Sequence, residues 1–308
     1  MAYEIKGGVS VKIAVVGSIN MDQSVLAERI PLRGETVKGS DLQYIPGGKG
    51  ANQAVAMARL GAQVSMFGCV GDDENGRILV ENLRSNNVNT DHIKTVEGVP
   101  TGMALITLGE SDNTIVVVAG TNSCVDKDYI DSIKDELIRH DMVVLQHEIP
   151  LDAVHYAIEL CNEAGIPTVL NPAPAAAVPG DIIEKVTYLT PNEHEASLIF
   201  GEKKSEDELL KEYPEKLIIT KGSRGVAVCL GNSEVANIPS LKSNVVDTTG
   251  AGDTLNGAFA VRICAGDDIK DALIYANTAA GLSVEKMGAQ GGMPTAEEVS
   301  QRIESAQR

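Results

Sequence analysis

The chain predicts an α/β fold: a layer sandwich around a mostly parallel sheet, with two β-rich insertions that meet as a lid. Three observations carry this. Short apolar runs such as 11 to 16 close on a glycine, the pattern of strands buried on both faces. From Asp126 onward strand-like and helix-like stretches alternate, and crossovers of helical length join parallel strands. Two stretches, roughly 22 to 45 and 98 to 120, lack a helical period and read as short strands outside the sandwich.

In chain order, residues 1 to 10 read as a leader and 11 to 308 as a single domain. After the first strand, residues 22 to 45 carry Pro31, Gly34 and Gly39 among mixed polarity. Lys49 opens a helix rich in small residues (Ala51, Ala54, Ala56, Ala58) that stops at Gly61, ahead of a strand from 64 to 68. Gly71-Asp72-Asp73 caps a helix running toward Leu83. Residues 101 to 108 and 114 to 118 form a hairpin around the turn 109 to 113. Then come a helix from 126 to 139, a strand from 142 to 146, a helix from 151 to 164, and strands at 168 to 170 and 186 to 189. Helices at 193 to 200 and 206 to 212 precede a strand at 217 to 220. An antiparallel edge pair at 226 to 230 and 234 to 238 follows, and three helices finish the chain.

Composition narrows the function classes. The 308 residues include 26 basic and 43 acidic side chains, a formal charge of −17, so a basic footprint for nucleic acid or an anionic membrane is excluded. Any phosphate site must then be local, built from backbone amides and a few cations such as Lys49 and Lys221. The five cysteines are scattered without a C-x-x-C pair and read as reduced core thiols. The N-terminal residues lack the charge pattern of a signal peptide and no apolar run reaches spanning length, so a cytoplasmic enzyme is expected. The five histidines show no paired ligand spacing, which argues against zinc, and 71 to 76 lacks the register of a calcium loop.

Two glycine-rich turns open helices almost two hundred residues apart, 47 to 52 and 247 to 253. Glycines let backbone N–H groups crowd an anion, and the following helix turns its positive end toward it. The first turn is not a Walker loop, because Lys49 is followed by Gly50 and Ala51. The second contains Asp253, whose charge would repel a polyphosphate unless the residue binds a metal or takes a proton from a nucleophile. Alternatively, Asp253 simply caps the helix. Asn20 and Asp22 follow the first strand at its carboxyl end, where open sheets gather ligands; they suit a polyol or an Asx turn. Glu148 follows the strand at 142 to 146 and either reaches the same crevice or sits on an exposed loop. Asn192 and Glu195 have the spacing of a capping box and also suit a metal or phosphate role.

Together these motifs resemble the ribokinase family of sugar and nucleoside kinases, the PfkB group, across nearly the whole chain from Val11 to Pro294. The amino-terminal signature corresponds to Gly47-Gly48-Lys49-Gly50-Ala51-Asn52-Gln53-Ala54 with Gly61 and the turn at Gly71, and the carboxyl-terminal one to Asp247 through Gly257. Stretches at 17 to 22, 171 to 174, 190 to 193 and 220 to 225 are similar as well. The resemblance implies a ribokinase-like three-layer α/β/α sandwich with a small β-rich lid, and transfer of the γ-phosphate of ATP to the primary 5-hydroxyl of D-ribose. It implies that Asp253 is the base and that Gly250, Ala251 and Gly252 form the anion hole. Asn20, Asp22, Gly48, Lys49, Asn52, Glu148 and Asp247 would grip the pentose. Asn192 and Glu195 would organise Mg²⁺ and phosphates. Thr220, Gly222, Ser223, Gly225, Gly252 and Asn277 would contact ATP. Asp247, Thr249, Lys286, Gly288 and Gly292 match the segments that supply a site for a monovalent cation, K⁺. Paired lids imply a homodimer.

Three positions depart from the family pattern. Asn277 stands where an aromatic or imidazole side chain is common, and Met21 and His147 interrupt sugar-side motifs. Kinases of the same family for deoxyribose, a ketose or a nucleoside are the nearest alternatives, and a non-catalytic sugar sensor is the alternative from another class.

Overall fold

The structure, a computed structural model, describes residues 11–306 apart from 110, 111, 202 and 232. The expected leader at 1 to 10 and two residues of the predicted turn at 109 to 113 lie outside the described residues. The apolar run KIAVV forms β1 (Lys12–Val16). The chain then leaves the main sheet for β2 (Asn20–Ala27) and β3 (Gly39–Gly47) and enters α1 (Lys49–Arg59). Next come β4 (Gln63–Gly71), α2 (Glu74–Ser85), β5 (Val88–Val96), β6 (Gly102–Gly109) and β7 (Asp112–Val118). Asp73 caps α2 by accepting from Gly76 N at 2.8 Å, and it also accepts from Thr101 N and Oγ1, tying that helix to the root of β6.

The second half alternates α3 (Lys127–Leu137), β8 (Met142–Gln146), α4 (Leu151–Ala164), β9 (Thr168–Asn171), α5 (Gly180–Lys185) and β10 (Tyr188–Leu189). It continues through α6 (Glu193–Phe200), α7 (Glu206–Glu212), β11 (Ile218–Thr220), β12 (Val226–Cys229) and β13 (Val235–Ile238). The end is helical: α8 (Ala251–Cys264), α9 (Ile269–Ser283), the single turn α10 (Ala289–Gly292) and α11 (Ala296–Ala306).

Six strands pair in the order β10-β9-β8-β1-β4-β5, every pairing parallel. Parallel bridges Leu189–Leu217 and Asn192–Thr220 lead on to the antiparallel strands β11-β12-β13. Because successive strand residues face opposite ways, β1 feeds two cores. Ile13 and Val15 pack with α1, α8 and α9, whereas Ala14 and Val16 pack with α3 and α4. These are the three layers. The small residues of α1 let α8 come close: a Cβ on Gly257 would stand 3.0 Å from that of Ala56. Among the described residues, no helix is long and apolar enough to cross a membrane.

The two β-rich insertions form one separate sheet, ordered β3-β2-β6-β7, in which β2 runs parallel to β6 and the outer pairings are antiparallel. Sequence reading had no strand at 88–96 and no helix at 180–185. The first runs along the edge of the main sheet with mixed polarity and only two of its nine residues buried, so it shows no clean alternation along its length. The predicted strand at 186 to 189 shrinks to two residues, and the three final helices gain the single turn α10.

Candidate active site

The site lies where the main sheet gives way to the second sheet. At the end of β1 the backbone passes within touching distance of α1: a Cβ on Gly50 would stand 2.7 Å from Gly17 C and Ser18 N. Gly48 has φ +88°, and a Cβ on Gly47 would lie 2.3 Å from Asp22 Oδ2. The first glycine turn is therefore glycine-rich for close approach of Asn20 and Asp22. It is not an open anion cradle. Lys49 N donates to Glu148 Oε2 at 3.0 Å, Gly50 N to Ser18 Oγ at 3.2 Å and Ala51 N to Ser18 O at 2.9 Å, so the N–H groups opening α1 are already taken.

The second turn is different. Gly250, in the left-handed region at φ +79°, is the N-cap of α8 and has no side chain to bond the helix. Gly252 is exposed. Ala251 N is turned back to Thr248 O at 3.3 Å, so the three N–H groups are not all unencumbered. Those of Gly250 and Gly252 meet no backbone acceptor among the described residues. Asp253 is not the cap. It stands inside the first turn, its Oδ2 accepting from Asn52 Nδ2 at 2.9 Å and its Oδ1 from Gln53 Nε2 at 3.0 Å. Burial drives its carboxyl upward, Glu148 adds to this, and Lys49, Asn52 and Gln53 oppose it; the net shift is upward.

Most of the residues expected to grip a sugar gather near Asp253: Asp22, Lys49, Asn52 and Glu148, with Asn20 beside Gly48, whereas Asp247 bonds to Thr249 and Gly288. Asn20 is buried and its Oδ1 accepts from Asn122 Nδ2 at 2.6 Å, while Asn122 Oδ1 accepts from Ile19 N at 2.9 Å, so no Asx turn forms there. Glu148 reaches the crevice and does not sit on an exposed loop: its Oε2 also accepts from Ser18 Oγ at 2.6 Å. Asp22 is pushed up to about 7 by burial and by the charges of Glu148 and Asp253. Burial lowers Lys49, but the carboxylates of Asp253, Glu148 and Glu195 outweigh it and hold the ammonium above its ordinary range. The Lys49 ammonium thus balances several acids. Met21 is a core residue, 1% exposed.

Beyond α8 opens a cavity of about 940 Å³. Asn192, Thr220, Gly222, Ser223, Gly225, Gly252 and Asn277 all line it, with aliphatic walls from Leu241, Val245, Leu255 and Val284. Asn277 is buried with Nδ2 donating to Ile238 O at 2.9 Å. The ammonium of Lys221, an expected phosphate cation, pairs with Glu206 and Asn237. Lys242 lines the cavity instead, a residue the sequence reading did not single out. Asn192 and Glu195 form a reciprocal capping box at 2.8 Å each way, which leaves Glu195 Oε1 and Asn192 Nδ2 outside that exchange.

Two donor sets bear on ions. Among the described residues, no three acidic, histidine or cysteine side chains cluster as a metal cage. A single carboxylate near a nucleotide cavity suits Mg²⁺ carried on phosphates. At the other set, Asp247 Oδ1 accepts from Thr249 N and Oγ1, Asp247 Oδ2 accepts from Gly288 N at 2.9 Å, and Val246 N meets Val284 O at 2.8 Å. These contacts join the two loops that a monovalent cation would bridge, and hold the Asp247 carboxyl low against its burial. Gly292 N donates to Gly288 O, keeping that segment compact. Lys286 can offer only its carbonyl, since its ammonium pairs with Glu298 at 3.0 Å.

The sequence reading quoted Gln53 only within a motif and left out Gln146 and Gln290, although these buried amides support the site. Their signal was polarity in the wrong place, such as a glutamine ending the apolar strand β8.

Comparison with known proteins agrees with this geometry. Residues 10–296 match the pfkB family carbohydrate kinase. The chain is 50% identical over 291 residues to a ribokinase of Bacillus subtilis, covering 94% of this chain and 99% of that protein. It is 43% identical to a ribokinase of Lactococcus lactis, covering 95% and 97%. A structure of Arabidopsis thaliana ribokinase complexed with ribose and ATP superposes with a TM-score of 0.88 at 30% identity, covering 96% of this chain and 99% of that one. With the signature turns, the buried carboxylate and the cavity in place, the chain belongs to the pfkB family of carbohydrate kinases and is a phosphotransferase.

Proposed function

We propose that the chain transfers the γ-phosphate of ATP to the primary 5-hydroxyl of D-ribose, giving D-ribose 5-phosphate and ADP. The observation that carries this is the position of Asp253. It is buried against the sugar-side cluster of Asn52 and Lys49, and it directly follows Gly252, which lines the cavity. Ribose as the acceptor and ATP as the donor are supported by the names of the relatives and by what the Arabidopsis structure holds. Polar and charged groups dominate the acceptor side, where Asn20, Asp22, Lys49, Asn52 and Glu148 stand, which favours a pentose over a nucleoside as acceptor.

In this reading Asn20, Asp22, Gly48, Lys49, Asn52, Glu148 and Asp247 hold the pentose. Thr220, Gly222, Ser223, Gly225 and Asn277 hold the nucleotide. An alcohol is far less acidic than a carboxylic acid, so Asp253 does not ionise it in advance. In a loose phosphoryl-transfer transition state the proton leaves late, as the O–P bond forms, and Asp253 receives it. The free N–H groups of Gly250 and Gly252 at the mouth of α8, with Ala251 beside them, face the charge of the transferred group. Asn192 and Glu195 would hold Mg²⁺ on the phosphates, where it would supply charge neutralisation, and Asp247, Thr249 and the Gly288 segment would hold K⁺, which would support the anion-hole loop. The second sheet excludes water as a lid. We place the reaction in the cytoplasm, where ATP is supplied.

The test is ADP release measured over ribose, 2-deoxyribose, fructose and adenosine, each with and without K⁺, for the native chain and Asp253→Ala. The native chain should favour ribose and respond to K⁺. Asp253→Ala should lose about 10²- to 10⁴-fold in kcat with ribose and ATP binding much less affected. Near-normal turnover by the variant refutes the base, and ribose binding without turnover in the native chain favours a sensor.

A further inference from the structure

We infer that Gln53 is a positioning residue for Asp253, the inner member of one of two buried amide relays that converge on this carboxylate. The inference rests on the role proposed above for Asp253. On one side, Asn82 Nδ2 donates to Gln290 Oε1 at 2.7 Å, Gln290 Nε2 donates to Asn52 Oδ1 at 3.0 Å, and Asn52 Nδ2 donates to Asp253 Oδ2 at 2.9 Å. On the other, Gln146 Nε2 donates to Gln53 Oε1 at 2.7 Å and Gln53 Nε2 donates to Asp253 Oδ1 at 3.0 Å. Gln53 Nε2 is also 3.2 Å from Asn171 Oδ1.

Every amide in both relays points its N–H toward Asp253. An ionised carboxylate accepts and cannot donate, so its first partners must present hydrogens, and each carbonyl turned outward must be met by the next N–H. The Gln53 relay ends on a telling atom. Gln146 Oε1 is buried with no hydrogen-bond partner, 2.1 Å from where a Cβ on Gly17 would stand. Reversing both glutamines would turn a carbonyl on Asp253, so the orphaned oxygen is left where its cost is lower. Gln53 and Gln146 are both 0% exposed and therefore touch neither sugar nor nucleotide. Gln53 acts through Asp253. It joins α1, which carries the sugar-side turn, to α8, which carries the anion-side turn. By donating to the charged form it keeps the carboxylate ionised within its buried setting and fixes the plane in which its remaining lone pairs meet the hydroxyl.

The experiment compares the native chain with Gln53→Met, Gln53→Glu and Asp253→Ala. It measures kcat and KM for ribose and ATP from pH 5 to 9, and thermal unfolding. Gln53→Met keeps the length and removes the donor. Its kcat should fall about 10- to 100-fold at pH 7, with KM for ATP unchanged. The acid limb of its kcat profile should move up by about one pH unit, so that part of the loss returns in alkali. Gln53→Glu preserves shape and can donate only while protonated, so it should acquire an alkaline limb that the native enzyme lacks, a readout that remains if Gln53→Met fails to fold. With Asp253→Ala inactive, an unmoved acid limb in Gln53→Met, or no new alkaline limb in Gln53→Glu, overturns the positioning role. Near-normal turnover in Asp253→Ala instead overturns the base on which the inference rests.

Discussion

At the scale of single residues, the site is an arrangement of acids around one ammonium, and Asp22 shows the consequence. Its folded value of about 7 lies above the ordinary 3.8. Below the unfolded value both states hold the proton and its contribution to stability is complete. As pH rises toward 7 the unfolded chain releases the proton first, and this stability is lost. A three-unit shift corresponds to about 4 kcal/mol at most, and partial exposure reduces it to about 2 kcal/mol. Asp22→Asn should therefore match the native chain in urea unfolding near pH 3, below the ordinary value, and exceed it by about 2 kcal/mol at pH 8, while binding ribose more weakly. An equal difference at both pH values refutes the coupling. Much at this scale was legible in sequence, because Asn20, Asp22 and Glu148 follow strand ends where side chains meet ligands. The supporting amides Gln53, Gln146 and Gln290 were not, since a polar residue in an apolar run marks burial but not the distant partner it meets.

At the scale of elements, the two glycine turns look alike and serve differently. Gly250 is needed for conformation and space: its φ is +79° and a Cβ would stand 2.9 Å from both Cα and Cβ of Ala289. Gly252 has no neighbour within 4 Å of such an atom. Gly250→Ala should cost about 1–3 kcal/mol of stability together with activity. Gly252→Ala should change stability by less than about 0.5 kcal/mol yet raise KM for ATP or lower kcat, because only the bound phosphoryl group would meet the new methyl. Calorimetry beside steady-state kinetics separates the two, and unchanged kinetics in Gly252→Ala removes that turn from the anion hole. The helices at 151 to 164 and 193 to 200 and the strand at 142 to 146 were legible to the residue, because periodicity and caps are local. The strand Val88–Val96 was not, because an edge position relaxes the alternation that marks a strand.

At the scale of the whole molecule, the second sheet has a face that bears the candidate site, where Ile115 and Val117 are also exposed, and an opposite face. Strand register places Asn20 and Asp22 on one, and Leu42, Tyr44, Leu105, Val116 and Val118 on the other. All five of these apolar side chains are exposed, Tyr44 at 58% and Val116 at 61%. A contiguous apolar face of this kind fits the homodimer that the family resemblance implies. Sedimentation equilibrium should find a dimer, and Tyr44→Asp with Val116→Asp should yield a folded monomer; a monomeric native chain refutes the assembly. By itself, the sequence determined the order of most strands and helices, the position of both glycine turns and the family they resemble, because hydrophobic period and turn chemistry are written in neighbouring residues. Only the tertiary structure decided that α1 opens with its N–H groups occupied while the mouth of α8 stays open, and that Asp253 is held by amides instead of capping its helix. The physical reason is the range of the bonds involved: Asn52 and Asp253 are 201 residues apart in the chain, and no local pattern specifies which donors such a carboxylate meets.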